Sequence, residues 1–191
     1  MHSQALQLNE LINQNNPETI KLDKNHIPHI TLLQCFINES DLPKVKTELE
    51  ELFSTIKNDS LKAESFFYYK DKEESFAMIA IEKSDPLQKL HEKTIELIKP
   101  YIIKTGSEES FVQNPDGSSI SESTVTYVPE FVDKYSYENF DPHISLGVAQ
   151  KIVLDSLAQH FFKPIKFKAS SISVYQLGDH GTAQKLLWKS E

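Results

Sequence analysis

There is no arginine in this chain. All 20 basic residues are lysines, set against 28 aspartates and glutamates, for a formal net charge of −8. The planar fork that grips phosphate or carboxylate at two points is therefore missing. Any anion site must be built from lysine, histidine, hydroxyls and backbone N–H groups. Long duplex nucleic acid needs a basic footprint, and this acidic balance argues against such a partner. Cysteine is almost absent as well. A single residue, Cys35, excludes an internal disulfide and a multi-cysteine zinc site. Lying in the apolar run Ile30 to Ile37, it reads as a small buried hydrophobe. No stretch approaches the roughly 20 apolar residues of a membrane span. Met1-His2-Ser3-Gln4 has neither a basic nor an apolar leader region. The expectation is a cytoplasmic protein with no membrane partner, monomeric by default.

What is present suffices for a globular fold. With 191 residues the chain can form one domain or two small interlocked lobes, and 39% hydrophobic content fills a core. Leu6, Leu8, Leu11 and Ile12 mark a weak amphipathic helix from Ser3 to Gln14, ended by Asn15-Asn16-Pro17. The mostly apolar stretch Ile27 to Ile37 reads as a buried strand. A helix follows, capped by Ser40 or Asp41, with Val45, Leu49, Leu52, Phe53 and Ile56 on one face. Leu61 to Tyr69 and Ser75 to Ile81 form a hairpin about a charged turn. Ser84-Asp85-Pro86 opens a helix whose stripe is Leu87, Leu90, Thr94, Leu97 and Ile98. Thr105 to Ser123 is turn-rich and reads as a loop insertion or lid. A short helix from Thr124 to Val132 is expected to break near Pro129. Pro142 to Val148 is a second apolar strand, Lys151 to Phe162 a helix, Ile165 to Tyr175 one alternating strand, and Lys185 to Lys189 the last strand.

One pentapeptide occurs twice. Pro28-His29-Ile30-Thr31-Leu32 and Pro142-His143-Ile144-Ser145-Leu146 agree at four positions, and the fifth exchanges one hydroxyl for another. Each precedes a helix and then a hairpin, so the chain reads as two repeat units, roughly 22–100 and 136–191, within a single bilobal domain. On a strand, side chains two apart share a face, roughly 6.6 Å apart. His29 and Thr31 then face one way, with Ile30 and Leu32 to the core; His143 and Ser145 repeat this against Ile144 and Leu146. Two imidazoles and two hydroxyls around one point suit phosphoryl chemistry. One histidine activates the attacking group, the other protonates the leaving oxygen, and the hydroxyls hold the phosphate oxygens. A metal site is disfavoured, because His26, His29 and His143 have no carboxylate at ligand spacing. A serine nucleophile is disfavoured by the lack of a Gly-x-Ser-x-Gly elbow.

The paired motifs His29-Ile30-Thr31-Leu32 and His143-Ile144-Ser145-Leu146 resemble those of the two-histidine phosphoesterase superfamily. The likeness is greatest to 2′-5′ RNA ligase-like proteins and cyclic nucleotide phosphodiesterases, and spans roughly Leu22 to Trp188. Asn139-Phe140-Asp141-Pro142-His143 and Gln176 to Ala183 are similar to the 2′-5′ RNA ligase-like branch. The resemblance implies an α+β fold of two pseudo-twofold-related lobes, each an antiparallel sheet with helices outside, facing a central cleft. It implies opening of 2′,3′-cyclic phosphates or related phosphodiesters, without metal or organic cofactor. His29 and His143 would be the acid–base pair, and Thr31 and Ser145 the phosphate-holding hydroxyls. Some relatives place an arginine near the phosphate. Here Lys24, Lys134 and Lys185 are the candidates, each also readable as a solvated surface charge.

Further substrate-binding candidates are the aromatics Phe36, Tyr68, Phe76, Phe140 and Tyr175, which could stack on a base or simply fill the core. His26 and His180 read as exposed, although His180 could overhang a cleft. The expected partner is a small nucleotide or short RNA end. RNA end joining and a non-catalytic nucleotide- or RNA-end-binding module are the alternatives.

Overall fold

The computed structural model describes residues 1–23, 26–56 and 59–190. Along the chain run α1 (His2–Asn15), β1 (Phe36–Ile37), α2 (Leu42–Ile56), β2 (Ser60–Tyr68), β3 (Glu74–Ile81), α3 (Asp85–Ile98), β4 (Ile102–Ile103), α4 (Glu122–Lys134), β5 (His143–Gln150), α5 (Lys151–Ser156), β6 (Ile165–Lys168), β7 (Ser173–Leu177) and β8 (Ala183–Lys189). The fold is α+β, and the pairs β1–β4, β2–β3, β3–β5 and β7–β8 are antiparallel. The chain divides into two compact units, each gathered from separate stretches. The first holds residues 1–31, 60–83 and 141–167; the second holds 32–59, 84–140 and 168 onward. These units do not follow the sequence repeats. The hairpin β2–β3 lies in the first repeat, yet its neighbour is β5 from the second. Among the described residues, no helix is long and apolar enough to cross a membrane.

The first unit is built on one sheet, in the order β5-β3-β2-β6. β3 alternates strictly between exposed or half-buried and buried positions, as a strand with one face on a core must. Ala77, Ile79 and Ile81 of β3 lie with Ile144 and Leu146 of β5 on the buried face. α1 packs on β5 and buries Ala5, Leu8 and Ile12. The outer edge of β5 would leave its backbone groups open, and α1 together with the stretch after it takes them up. Asn9 donates from Nδ2 to the Leu146 carbonyl at 2.8 Å, and Thr19 Oγ1 accepts from the Val148 N–H at 2.7 Å. An edge fastened in this way cannot recruit a foreign strand.

The second unit contains α2, α3, α4 and the pairs β1–β4 and β7–β8. Val45, Leu49, Leu52 and Phe53 of α2 meet Ile98 of α3 and Ile172 in one cluster. A second cluster joins Phe36, Phe111, Ile120 and Val128. The stretch expected as a loop is therefore fastened by two buried apolar side chains, Phe111 and Ile120, rather than free to act as a lid. α4 continues through Pro129, with Val128 and Phe131 buried on either side to anchor both halves. At its start, Asp179 accepts hydrogen bonds from the Ser121 N–H, Ser121 Oγ and Thr124 Oγ1. Burial opposes ionisation of this carboxyl, but these bonds and the His180 N–H hold it far below the usual carboxylate range.

Three further expectations need correction. Only Phe36–Ile37 of the run Ile27 to Ile37 is a strand, paired with β4. Residues 27–35 have no partner strand among the described residues; Leu32, Leu33 and Cys35 pack sideways on the α2–α3 cluster instead. The alternating run Ile165 to Tyr175 splits into β6 and β7, which join different sheets. The helix expected from Lys151 to Phe162 is α-helical only to Ser156 and continues as a wider π turn over Leu157–Phe161. Cys35, expected to be buried, is half-buried, packed against the α2–α3 cluster; desolvation there pushes its pKa up to about 12, so it stays protonated at neutral pH. The side chain of Ile56 lies outside the described residues.

Candidate functional site

Proline opens both motifs and shapes them alike. Ile27-Pro28-His29 and Asp141-Pro142-His143 each confine the residue before proline to extended conformations and lock the proline φ. In both, the histidine turns its Nδ1 onto the carbonyl two residues back. His29 Nδ1 lies 2.9 Å from the Ile27 oxygen, and His143 Nδ1 lies 2.8 Å from the Asp141 oxygen. A carbonyl oxygen can only accept, so the neutral ring carries its proton on Nδ1. Nε2 is left with its lone pair for chemistry.

The four motif side chains belong to one compact unit, the first. His143 and Ser145 are half-buried on β5, while Ile144 and Leu146 point to the core at 3% and 0% exposure. Register sets their neighbours: Ala80 of β3 stands opposite His143, and Met78 opposite Ser145. Paired residues share a face, so the small Ala80 leaves room beside the imidazole. His29 and Thr31 are also half-buried, but on the irregular segment rather than on a strand. Burial lowers the His29 pKa below the ordinary 6.5; the Ile27 carbonyl opposes this, and the charges of His143 and His26 lower it further. The two imidazoles thus feel each other. At neutral pH His29 is a neutral base with a free Nε2.

Between Ser145 and Gly147 the strand bulges. β5 carries Leu146 as an extra residue between the pairs Met78–Ser145 and Ala77–Gly147. Gly147 sits at φ +114°, and a Cβ there would lie 2.7 Å from Thr19 Oγ1. The bulge keeps His143 and Ser145 on one face while the strand end turns to the Thr19 anchor.

The other candidates fare differently. Phe36 is core, edge-on to Phe111 at 5.7 Å. Tyr68 is buried and donates its hydroxyl to Asp155, and that bond with burial pushes its pKa up to about 12. Phe140 is buried and stacked on His91. Tyr175 is half-buried on β7, opposite Leu186, and Lys185 is exposed on β8, opposite Gln176. Lys134 is paired with Glu130 at 2.7 Å. Lys24 lies outside the described residues. His26 is tied to Asp23 through its N–H at 3.0 Å, and the His180 ring is largely exposed. Phe76 alone among the aromatic candidates shares the open sheet face, 38% exposed. Phe67 was missed. It stands opposite Met78, on the face of Ser145, and is 40% exposed. The run Ser65-Phe66-Phe67-Tyr68 is apolar on both parities, so alternation gave no sign of which ring faces out. Among the described residues, no three His, Cys, Asp or Glu side chains converge as metal ligands.

Proteins of known structure and sequence add a family. The solved structure of Usb1 from Kluyveromyces marxianus is similar at 11% identity and a TM-score of 0.34, over 86% of this chain and 82% of that one. No curated protein sequence matches. The model of the 2′-5′ RNA ligase superfamily, which comprises phosphoesterase- and ligase-type enzymes, matches residues 3–181. That match takes in both histidine motifs and nearly the whole chain, and the chain belongs to the 2′-5′ RNA ligase superfamily.

Proposed function

We propose that this protein hydrolyses a 2′,3′-cyclic phosphate or a related small nucleotide phosphodiester by two-histidine acid–base catalysis. The observation that carries this reading is the matched pair of imidazoles. Each has Nδ1 committed to a backbone carbonyl, each leaves Nε2 free, and each has a hydroxyl two residues on.

His29, with its lowered pKa, is the general base. Its Nε2 takes a proton from water as the water oxygen bonds to phosphorus. The bond from phosphorus to one ribose oxygen breaks, and that oxygen takes the Nε2 proton of protonated His143. One water is added, and the product is a phosphomonoester. Thr31 and Ser145 donate to the non-bridging oxygens, whose charge grows at the transition state. Proton transfer of this kind needs no metal, because imidazole as a class of group can give or take a proton near neutral pH. Phe67 and Phe76 offer rings to a base on the same sheet face as Ser145; stacking of this kind contributes about 1–3 kcal/mol per base.

The test is turnover of the four 2′,3′-cyclic nucleotides and a 2′-5′-linked dinucleotide by wild type, His29→Ala and His143→Ala. Each substitution is expected to cost about 10²–10⁴ in kcat. Unchanged turnover in both variants, or binding of these nucleotides with no turnover by wild type, would overturn the reading. Assay of RNA end joining on the same preparations separates hydrolysis from ligation.

A further inference from the structure

His91 lies in α3, one turn beyond Gln88, and is fully buried. Its surroundings tie together the two chain segments that carry the motifs. Nδ1 donates to the Leu32 carbonyl at 2.8 Å, and Leu32 directly follows Thr31. Nε2 accepts from the Tyr137 N–H at 2.9 Å. The ring lies flat on Phe140, centroids 3.9 Å apart and planes 2° apart, three residues before His143. Gln88 Nε2 donates to the Tyr137 carbonyl at 2.9 Å, so α3 holds that residue at both its N–H and its carbonyl. Tyr137 itself stands at φ +56°, a conformation that side-chain-bearing residues adopt at a cost and that its surroundings must maintain.

We propose that His91 is a positioning residue: it holds the chain leaving the first motif and the chain entering the second at one fixed spacing, and so sets the distance between His29 and His143. A leucine or phenylalanine fills this volume as well. What an imidazole adds is one donor and one acceptor at opposite ends of a flat ring, matched to a carbonyl on one segment and an N–H on the other. The loss of activity expected below rests on the two-histidine reading; the spectroscopic arm does not.

The experiment compares wild type with His91→Phe, which keeps the stack and loses both hydrogen bonds, and His91→Gln, which restores a donor and an acceptor. Turnover is read as kcat and KM separately. The imidazole ¹⁵N–¹H signals of His29 and His143 are read in the same samples, with circular dichroism to establish folding. A misplacement of about 1 Å costs about 100-fold in rate. The expected result is therefore a folded His91→Phe with kcat down about 100-fold, KM unchanged, shifted signals for both histidines, and recovery in His91→Gln. Wild-type kcat with unmoved imidazole signals in His91→Phe overturns the proposal. So does equal loss in both variants that merely tracks their melting temperature. If His91→Phe does not fold, Gln88→Ala releases the same Tyr137 carbonyl from a half-buried position. Shifted signals of the two motif histidines there support the brace, and unmoved signals overturn it. If wild type turns over none of the phosphodiesters, the proposed function fails, and the imidazole spectra alone still decide for or against the brace.

Discussion

A backbone carbonyl assigns the proton on each motif histidine. Ile27 and Asp141 hold Nδ1–H, so the chemistry of both rings is confined to Nε2. His29 adds burial, which penalises its cationic form. The sign of the resulting pH dependence follows. A base whose pKa is lowered stays neutral as pH falls through 6.5, so activity is lost only at lower pH. The acid limb of kcat/KM on a 2′,3′-cyclic nucleotide is expected below pH 6.5, and a limb at or above that value would remove His29 from the role of base. Linkage runs the same way: the unfolded chain takes up this proton first, so the contribution of neutral His29 to stability is present above pH 6.5 and is lost as pH falls through its folded pKa.

At the scale of elements, the β5 bulge is the device that joins the site to the scaffold. It rests on Gly147 at φ +114° and on the Thr19 hydroxyl beyond it. Gly147→Ala meets two obstacles together, a disfavoured φ and a 2.7 Å approach to Thr19 Oγ1. It is expected to lower the unfolding free energy by about 1–3 kcal/mol, measured from urea midpoints at constant m. Because Ser145 is two residues away, the same variant is expected to lose turnover while still folded. An unchanged midpoint would show that the bulge relaxes without strain. In the second unit, α3 is held by its own core. Its stripe Leu87, Thr94, Ile95 and Ile98 fixes the helix in its core, and His91 extends from that fixed base.

For the whole molecule, the charge balance bears on the size of the proposed substrate. A chain with 28 acids, 20 lysines and no arginine repels a long polyanion except where a local group intervenes. In the proposed reaction, the imidazoles and hydroxyls of the motifs serve one phosphate. Binding of a mononucleotide is expected to weaken by less than about tenfold between 50 and 200 mM salt, as one or two neutralised phosphates imply. Fluorescence titration of a 2′,3′-cyclic nucleotide across that range checks it. A loss of about a thousandfold, the mark of six or more phosphate contacts, would point instead to an extended RNA surface.

The repeated Pro-His-x-Thr/Ser-Leu pentapeptide was fully legible, because identity at matching positions is a property of the sequence itself. So were the hairpin and α3, since period-two and period-3.6 patterns act locally. Strand status was not legible for Ile27 to Cys35: an apolar run satisfies a sheet and a sideways packing equally, and only the partner decides. Alternation likewise could not say that Ile165 to Tyr175 divides between two sheets, or that Phe67 rather than Tyr68 faces out. The buried His91 lay hidden in a helical stripe, where nothing local marks a ring that reaches Leu32 and Phe140. Thus the sequence by itself determined the chemical groups and their local rotation, because the proline lies within the motif and the i−2 carbonyl directly before it. The tertiary structure alone decided which segments pair and which groups meet, because those depend on contacts between residues far apart along the chain.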